Sequence, residues 1–211
     1  MFFFGIFVIG IETGVASFEK TYGGPNKDWG GSVQQTSDGG YIIAGGTVSY
    51  GAGGYDVYLL KIDNTGATQW TKTYGGTNDD EGYSVQQTSD DGYIIVGYTE
   101  IYDVCWSRSY NGIGAKDVYL LKVDNTGATQ WTKTYGGSSD DIGNSVQQTL
   151  DGGYIIVGST ESYGAGGVMY IYSRLTIQVQ YSGQKLMALL MMILAFQYSR
   201  HQMKDILLQV E

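Results

Sequence analysis

The chain has 211 residues, a formal charge of −9 and a pI near 4.4, which argues against a nucleic-acid partner, because binding a phosphate backbone needs clustered Lys and Arg. Gly at 33 and Tyr at 19 against a single Pro describe many turns and aromatic strands, not a disordered segment. One cysteine, Cys105, excludes an intramolecular disulfide framework, and with one histidine, His201, no Cys/His set reaches the ligand number of a structural zinc site.

Phe2 to Ile11 is an apolar run, too short to span a bilayer, and the small residues Val15-Ala16-Ser17 follow it. Residues 1–17 therefore read as a secretion signal cleaved after Ser17, truncated because no Lys or Arg precedes the run. The alternative is a buried strand.

From about Phe18 the chain repeats. TYGG begins at Thr21, Thr73 and Thr134, and SVQQTSDGGYIIAGGT (Ser32 to Thr47) returns with few changes at Ser84 to Thr99 and Ser145 to Thr160. DVYLLKIDNTGATQWTKTYGG (Asp56 to Gly76) returns with one change at Asp117 to Gly137. The second period is longer, and its extra residues fall among Glu100 to Lys116, the stretch holding Cys105, Trp106 and Arg108, as insertions in surface loops do. Each period predicts four short strands: Ser32 to Thr36, Tyr41 to Thr47, Val57 to Asp63 and Thr68 to Tyr74. Asp38-Gly39-Gly40 and Asn64-Thr65-Gly66 supply the turns of two hairpins. The continuous apolar run Tyr41 to Ala44 suits a strand covered on both faces, whereas Thr68 to Tyr74 alternates like a half-exposed one.

Four antiparallel strands per period is the layout of a propeller blade. YIIAGG resembles the double-glycine strand end of kelch-type blades. Asp63-Asn64-Thr65-Gly66 followed by Trp70 resembles the tryptophan-bearing turn of quinoprotein propellers, one residue shorter. The whole unit, over residues 18–167, is similar to tandem repeats of secreted and surface proteins of bacteria and archaea. The resemblance implies an all-β fold, a partial β-propeller, at an extracellular or cell-surface location.

After Gly167 the repeat stops: residues 168–211 hold five of the six Met and one of the 33 Gly. Read literally, this tail predicts a strand at Met169 to Tyr181 and a helix over 184–209, with no membrane span. The same repeat translated out of frame accounts for more. Read one base earlier, a residue following Met (ATG) begins with G, so Tyr170 becomes Val, Ala188 Gly, Met192 and Ile193 Asp, and Lys204 Glu. The residues 113 positions before them are Val57, Gly75, Asp79, Asp80 and Asp91, a match at four of five. On this reading 168–211 is not a native domain.

The acidic groups Asp79-Asp80-Glu81, Asp90-Asp91 and Asp140-Asp141 lack the spacing of a twelve-residue calcium loop and suit solvated turns. As paired carboxylates they recur in the repeats, whereas a glycosidase needs one asymmetric pair. Tyr22, Tyr74 and Tyr135, with Trp70 and Trp131, recur likewise and suit packing between blades better than stacking on a ligand. Gly75-Gly76 opens no helix and cradles no phosphate. His201 lies in the suspect tail, so no Ser/His/Asp triad is expected. The expectation is a protein that binds or scaffolds without catalysis, with no cofactor and no metal site, an unidentified protein or glycan ligand, and self-association through exposed blade edges. The surface loop 100–116 is its expected contact site. Alternatives are a quinoprotein-like enzyme and a carbohydrate-binding module.

Overall fold

The computed structural model describes residues 5–12, 15–101, 115–162 and 169–175. These form thirteen strands, all paired antiparallel, with no helix among the described residues. The first sheet is a hairpin of β1 (Ile6–Glu12) and β2 (Val15–Tyr22). The second runs in chain order through β3 (Asp28–Gln35), β4 (Tyr41–Thr47), β5 (Asp56–Ile62) and β6 (Thr68–Tyr74). β7 (Asp80–Gln87), β8 (Tyr93–Ile101), β9 (Ala115–Val123) and β10 (Thr129–Tyr135) repeat that order in the third. The fourth holds β11 (Asp141–Gln148), β12 (Tyr154–Thr160) and β13 (Met169–Leu175).

Two strands of the repeat have the limits the sequence predicts, Tyr41–Thr47 and Thr68–Tyr74. The first strand begins earlier than expected. Asp28 to Gly31 precedes the strand expected from Ser32, but Asp28 pairs with Thr47 and Gly30 with Gly45 before the register shifts and Ser32 takes Ala44. The same β-bulge recurs between Gly82 and Ser84 and between Gly143 and Ser145, leaving Gly31, Tyr83 and Asn144 as the extra residues. It explains the glycine common to the three YII strand ends. A Cβ on Gly45, Gly97 or Gly158 would overlap the carbonyl oxygen of Trp29, Glu81 or Ile142 across the bulge. The second glycine of YIIAGG is not required in this way, and Tyr98 and Ser159 replace it.

Burial follows the alternation of side chains along the middle strands. Ile43, Tyr58, Leu60 and Ile62 join Ile6 and Phe18 in a core between the first and second sheets. Ile42, Ala44, Val57 and Leu59 face the other way, onto Val85, Tyr93, Ile95, Leu121 and Val123 of the third. Ile94, Val96, Val118 and Leu120 then meet Val146, Tyr154 and Ile156 of the fourth. One core thus lies between each pair of consecutive sheets, and β7 and β11 pack over the sheet before them. Strands β4 and β5 are buried on both faces, while β6 and β10 are largely exposed.

The N-terminal apolar run, expected as a secretion signal with a strand as the alternative, forms β1, and β2 runs through the expected cleavage point after Ser17. Its hairpin is a copy of β5–β6. Ile6 pairs with Tyr22 as Val57 does with Tyr74, and Ile11 with Ala16 as Ile62 does with Thr68. The register shift falls at the same place, between Gly10 and Ile11 as between Lys61 and Ile62. The repeat therefore extends back to Ile6. At the other end, β13 covers the first half of the strand expected at Met169 to Tyr181; the rest of that strand, and the helix expected over 184–209, lie outside the described residues. No helix among the described residues is long and apolar enough to cross a membrane.

Candidate functional site

Most polar side chains that recur between periods hold the frame. Asp28, Asp80 and Asp141 sit buried at the starts of β3, β7 and β11 and accept the backbone N–H groups of Gly24, Gly76 and Gly137 at 2.7–2.8 Å, tying down the loop that follows each TYGG. Asp38 closes the first hairpin turn, accepting from Thr36 Oγ1 at 2.5 Å and Gly40 N at 3.0 Å. Asp63 closes the second, accepting from the N–H groups of Thr65 and Ala67 at 2.8 Å. Lys61, 3% exposed, reaches across to Asp38 at 2.9 Å, and Lys122 repeats the pair with Asp90 at 3.0 Å.

The SVQQ motif links neighbouring sheets through side chains. Val85 N and Gln87 N donate to Ser32 Oγ at 3.3 Å and Gln34 Oε1 at 2.5 Å, and Val146 N and Gln148 N repeat both bonds onto Ser84 and Gln86. The aromatic residues do the same on the outer strands. Tyr22 and Tyr74 donate to Gly66 O and Gly127 O of the next sheet's turn, each at 2.7 Å. Trp70 and Trp131 meet Tyr93 and Tyr154 edge-on at 6.0 and 5.9 Å, in equivalent settings. Asp79 and Asp140 accept from the N–H groups of Tyr55 and Lys116, and Asp91 adopts a left-handed turn conformation at φ 62°. The residues the sequence singled out by recurrence are thus spent on turns, loop ties and packing between sheets. The quinoprotein-like turn belongs with them, Asp63 capping its own turn and Trp70 packing on Tyr93.

A different set appears when the three periods are compared for where they disagree. Five positions with non-conservative differences stand together: Lys27, Asp79 and Asp140; Trp29, Glu81 and Ile142; Gly31, Tyr83 and Asn144; Gly46, Tyr98 and Ser159; and Tyr55 against Lys116 at the end of the insertion, whereas Ser37 against Leu150 and Gly39 against Asp91 lie at the hairpin turn after the first strand. All five lie at one end of the strands, around the bulge and the junction of the first three strands of each sheet. The Trp29 and Tyr83 rings are 5.6 Å apart across the boundary between the second and third sheets, and Tyr83 and Tyr98 are 5.8 Å apart within the third. Glycines make room for the indole: a Cβ on Gly31 would stand 2.6 Å from Trp29 Cζ3, and one on Gly46 2.6 Å from Trp29 Nε1. The Tyr83 hydroxyl donates to Glu81 Oε2 at 3.0 Å. Lys116 Nζ lies 4.2 Å from the centre of the Tyr98 ring, and Lys27 Nζ 5.4 Å from that of Tyr55. Trp29, Tyr55, Glu81, Tyr83 and Lys116 are half-buried, Lys27 is exposed and Tyr98 is buried beneath them.

Burial raises the Glu81 carboxyl above its ordinary value, opposed by the Tyr83 and Tyr98 hydroxyls and the Lys116 charge. Burial and the nearby Glu81 raise both Tyr83 and Tyr98 well above the usual phenol value. The two tyrosines are therefore neutral hydroxyls at physiological pH. The cluster offers an aromatic floor with two carboxylates, Glu81 and Asp79, and two ammonium groups at its margin. Sequence reasoning missed it by weighting recurrence, although the signal was present as mismatches between otherwise near-identical repeats. The contact loop expected at 100–116 lies mostly outside the described residues, as do Cys105 and His201; its end, Lys116, belongs to the cluster. No protein-family model matches the chain, and no curated protein matches it in sequence.

Proposed function

We propose that this chain is part of an extracellular, non-enzymatic binding or scaffolding protein, its four sheets being successive blades of a β-propeller-type array like the kelch-like and quinoprotein-like repeats it resembles. The observation that carries this reading is the division of labour between positions. Recurrent residues are consumed in building and stacking the sheets, while a group of variable ones gathers at one corner where a surface can change its chemistry without disturbing the frame. A propeller also accounts for one core between each pair of consecutive sheets, a pattern that a sandwich of two sheets lacks. Propellers close with about four to eight blades. Chains extended in frame with further copies of residues 73–133 should therefore pass from self-associating species to a compact monodisperse monomer at one repeat number, as read by sedimentation. Association persisting at every repeat number, or quinone absorbance retained after dialysis of the purified chain, would overturn the proposal.

A further inference from the structure

Trp29 and Tyr83 have no counterparts at their positions in the other periods, and the frame does not need them: the third sheet has Glu81 where the second has Trp29, the fourth has Ile142, and all three form the same bulged pair of strands. An aromatic pair at 5.6 Å across a sheet boundary, half-buried and bordered by Glu81, Lys27 and Lys116, has the composition that a hydroxyl-rich ring selects. Its apolar C–H face rests on an aromatic plane, while its hydroxyls both donate to a carboxylate and accept from ammonium groups. The bulge supports this use, since bulges re-aim one side chain out of the strand alternation and Tyr83 is the residue re-aimed.

Charge narrows the class. The two lysines are offset by Glu81 and Asp79 within the cluster, and the chain as a whole carries −9, so a polyanionic ligand is disfavoured. The faces of Tyr55 and Tyr98 already carry the protein's own ammonium groups, so neither is open to an exogenous quaternary ammonium. We propose that Trp29 and Tyr83, with Glu81, Lys27 and Lys116 at their margin, bind a neutral glycan across the boundary between the second and third sheets. Tyr98 and Tyr55 position the two lysines from beneath. The inference rests on the binding-module reading above and names its ligand class.

The test titrates the full chain with neutral oligosaccharides, using malto-, cello-, manno- and chito-pentaose as separate probes, and follows tryptophan fluorescence and heat. At least one probe should bind. Trp29→Ala and Tyr83→Ala should each weaken it about tenfold, Trp29→Phe should retain most of the affinity, and Asn144→Ala, at the Tyr83 position of the fourth sheet, should leave it unchanged. If Trp29→Ala unfolds, Glu81→Gln, which keeps shape and neutralises the acceptor, should still weaken binding several-fold. No binding by any probe up to about 1 mM, or binding undiminished by the Trp29 and Tyr83 variants, would overturn the site while leaving a binding function for other ligands intact. Chromatography of the bound probe separates the two readings from the other side: shortened products would overturn the non-enzymatic reading and leave glycan recognition standing.

Discussion

The ion pair of buried Lys61 with half-exposed Asp38 is asymmetric. Lys61 is 3% exposed; its ammonium reaches the two carboxylate oxygens of Asp38 at 2.9 and 3.1 Å and the carbonyl oxygen of Ile62 at 3.3 Å. Asp38 is half-exposed and keeps Thr36 Oγ1 and Gly40 N whether or not the lysine is present. Asp38→Ala therefore strands a buried charge on one carbonyl and should cost about 3 kcal/mol. Lys61→Met keeps the apolar stem and leaves a solvated, still hydrogen-bonded carboxylate, so it should cost only about 1 kcal/mol. The double variant should fall close to Lys61→Met alone, a departure from additivity of about 3 kcal/mol. In urea, with a slope of about 2 kcal/mol per M, the midpoints should drop by about 1.5 M for Asp38→Ala and about 0.5 M for the other two. The pH dependence has a definite sign. Hydrogen bonds from Thr36 and Lys61 hold the Asp38 carboxyl down at about 2 against its ordinary 3.8. Its stabilisation is therefore complete above 3.8 and lost as the pH falls towards 2, so the deficit of Asp38→Ala should shrink over that interval. An Asp38→Ala midpoint no lower than that of Lys61→Met, or strictly additive effects, would refute the reasoning, and Asp90 with Lys122 gives an independent repeat of the experiment.

Gly45→Ala should destabilise the chain by several kcal/mol, because its Cβ meets the fixed backbone of Trp29, whereas Gly46→Ala meets only the movable side chains of Trp29 and Tyr55 and should cost about 1 kcal/mol or less; equal losses in denaturant unfolding would contradict the account of the bulge. Burial, with the nearby Asp80 adding to it, raises the Asp56 carboxyl, so this group favours the fold below its ordinary value and opposes it once ionised; Asp56→Asn should raise the melting temperature at pH 7 and lose that gain below pH 3.8, and an equal shift at both pH values would count against it. If the tail is the repeat read out of frame, the codons for Tyr172 to Leu186, read one base earlier, should spell a close copy of Leu59 to Thr73, and sequencing that finds no such copy would make the tail a genuine C-terminal element.

The repeat, the strands and their hairpin turns were legible in the sequence because apolar pattern and turn chemistry agree there: Tyr41–Thr47 and Thr68–Tyr74 have the limits predicted. The start of β3 was not legible, since Trp29-Gly30-Gly31 carries no strand pattern and pairs only because a bulge forms opposite Gly45. Nor was the β1–β2 copy of the hairpin. Glu12 to Gly14 has one residue fewer than Asp63 to Gly66, and Phe18 stands where the other copies have Trp; only the pairing register reveals the equivalence. The candidate site required knowing which positions meet in space. Trp29 and Tyr83 are 54 residues apart, and nothing local in either segment points to the other.

The register of β13 joins these observations. Thr160 pairs with Met169 and Ser159 with Tyr170, as Thr47 does with Asp56 and Gly46 with Val57, so the chain continues past residues 163–168 with no change in spacing even though the residue types have changed. The same equivalences explain where apolar surface is left uncovered. Ile155 of β12 corresponds to Ile42 and Ile94, which are 0% exposed, yet Ile155 itself is 41% exposed. Phe7 and Ile9 of β1 correspond to Tyr58 and Leu60, at 4% and 0%, but stand at 58% and 44%. The face of the fourth sheet is thus a copy of faces that the next sheet covers elsewhere, and the face of the first a copy of faces that the preceding sheet covers. The contact expected between two copies of the chain is therefore first sheet to fourth, and sedimentation of Phe7→Lys or Ile155→Lys should show less association than the parent chain. Such a contact is heterologous: it propagates into an open array unless the rotation between sheets closes a ring.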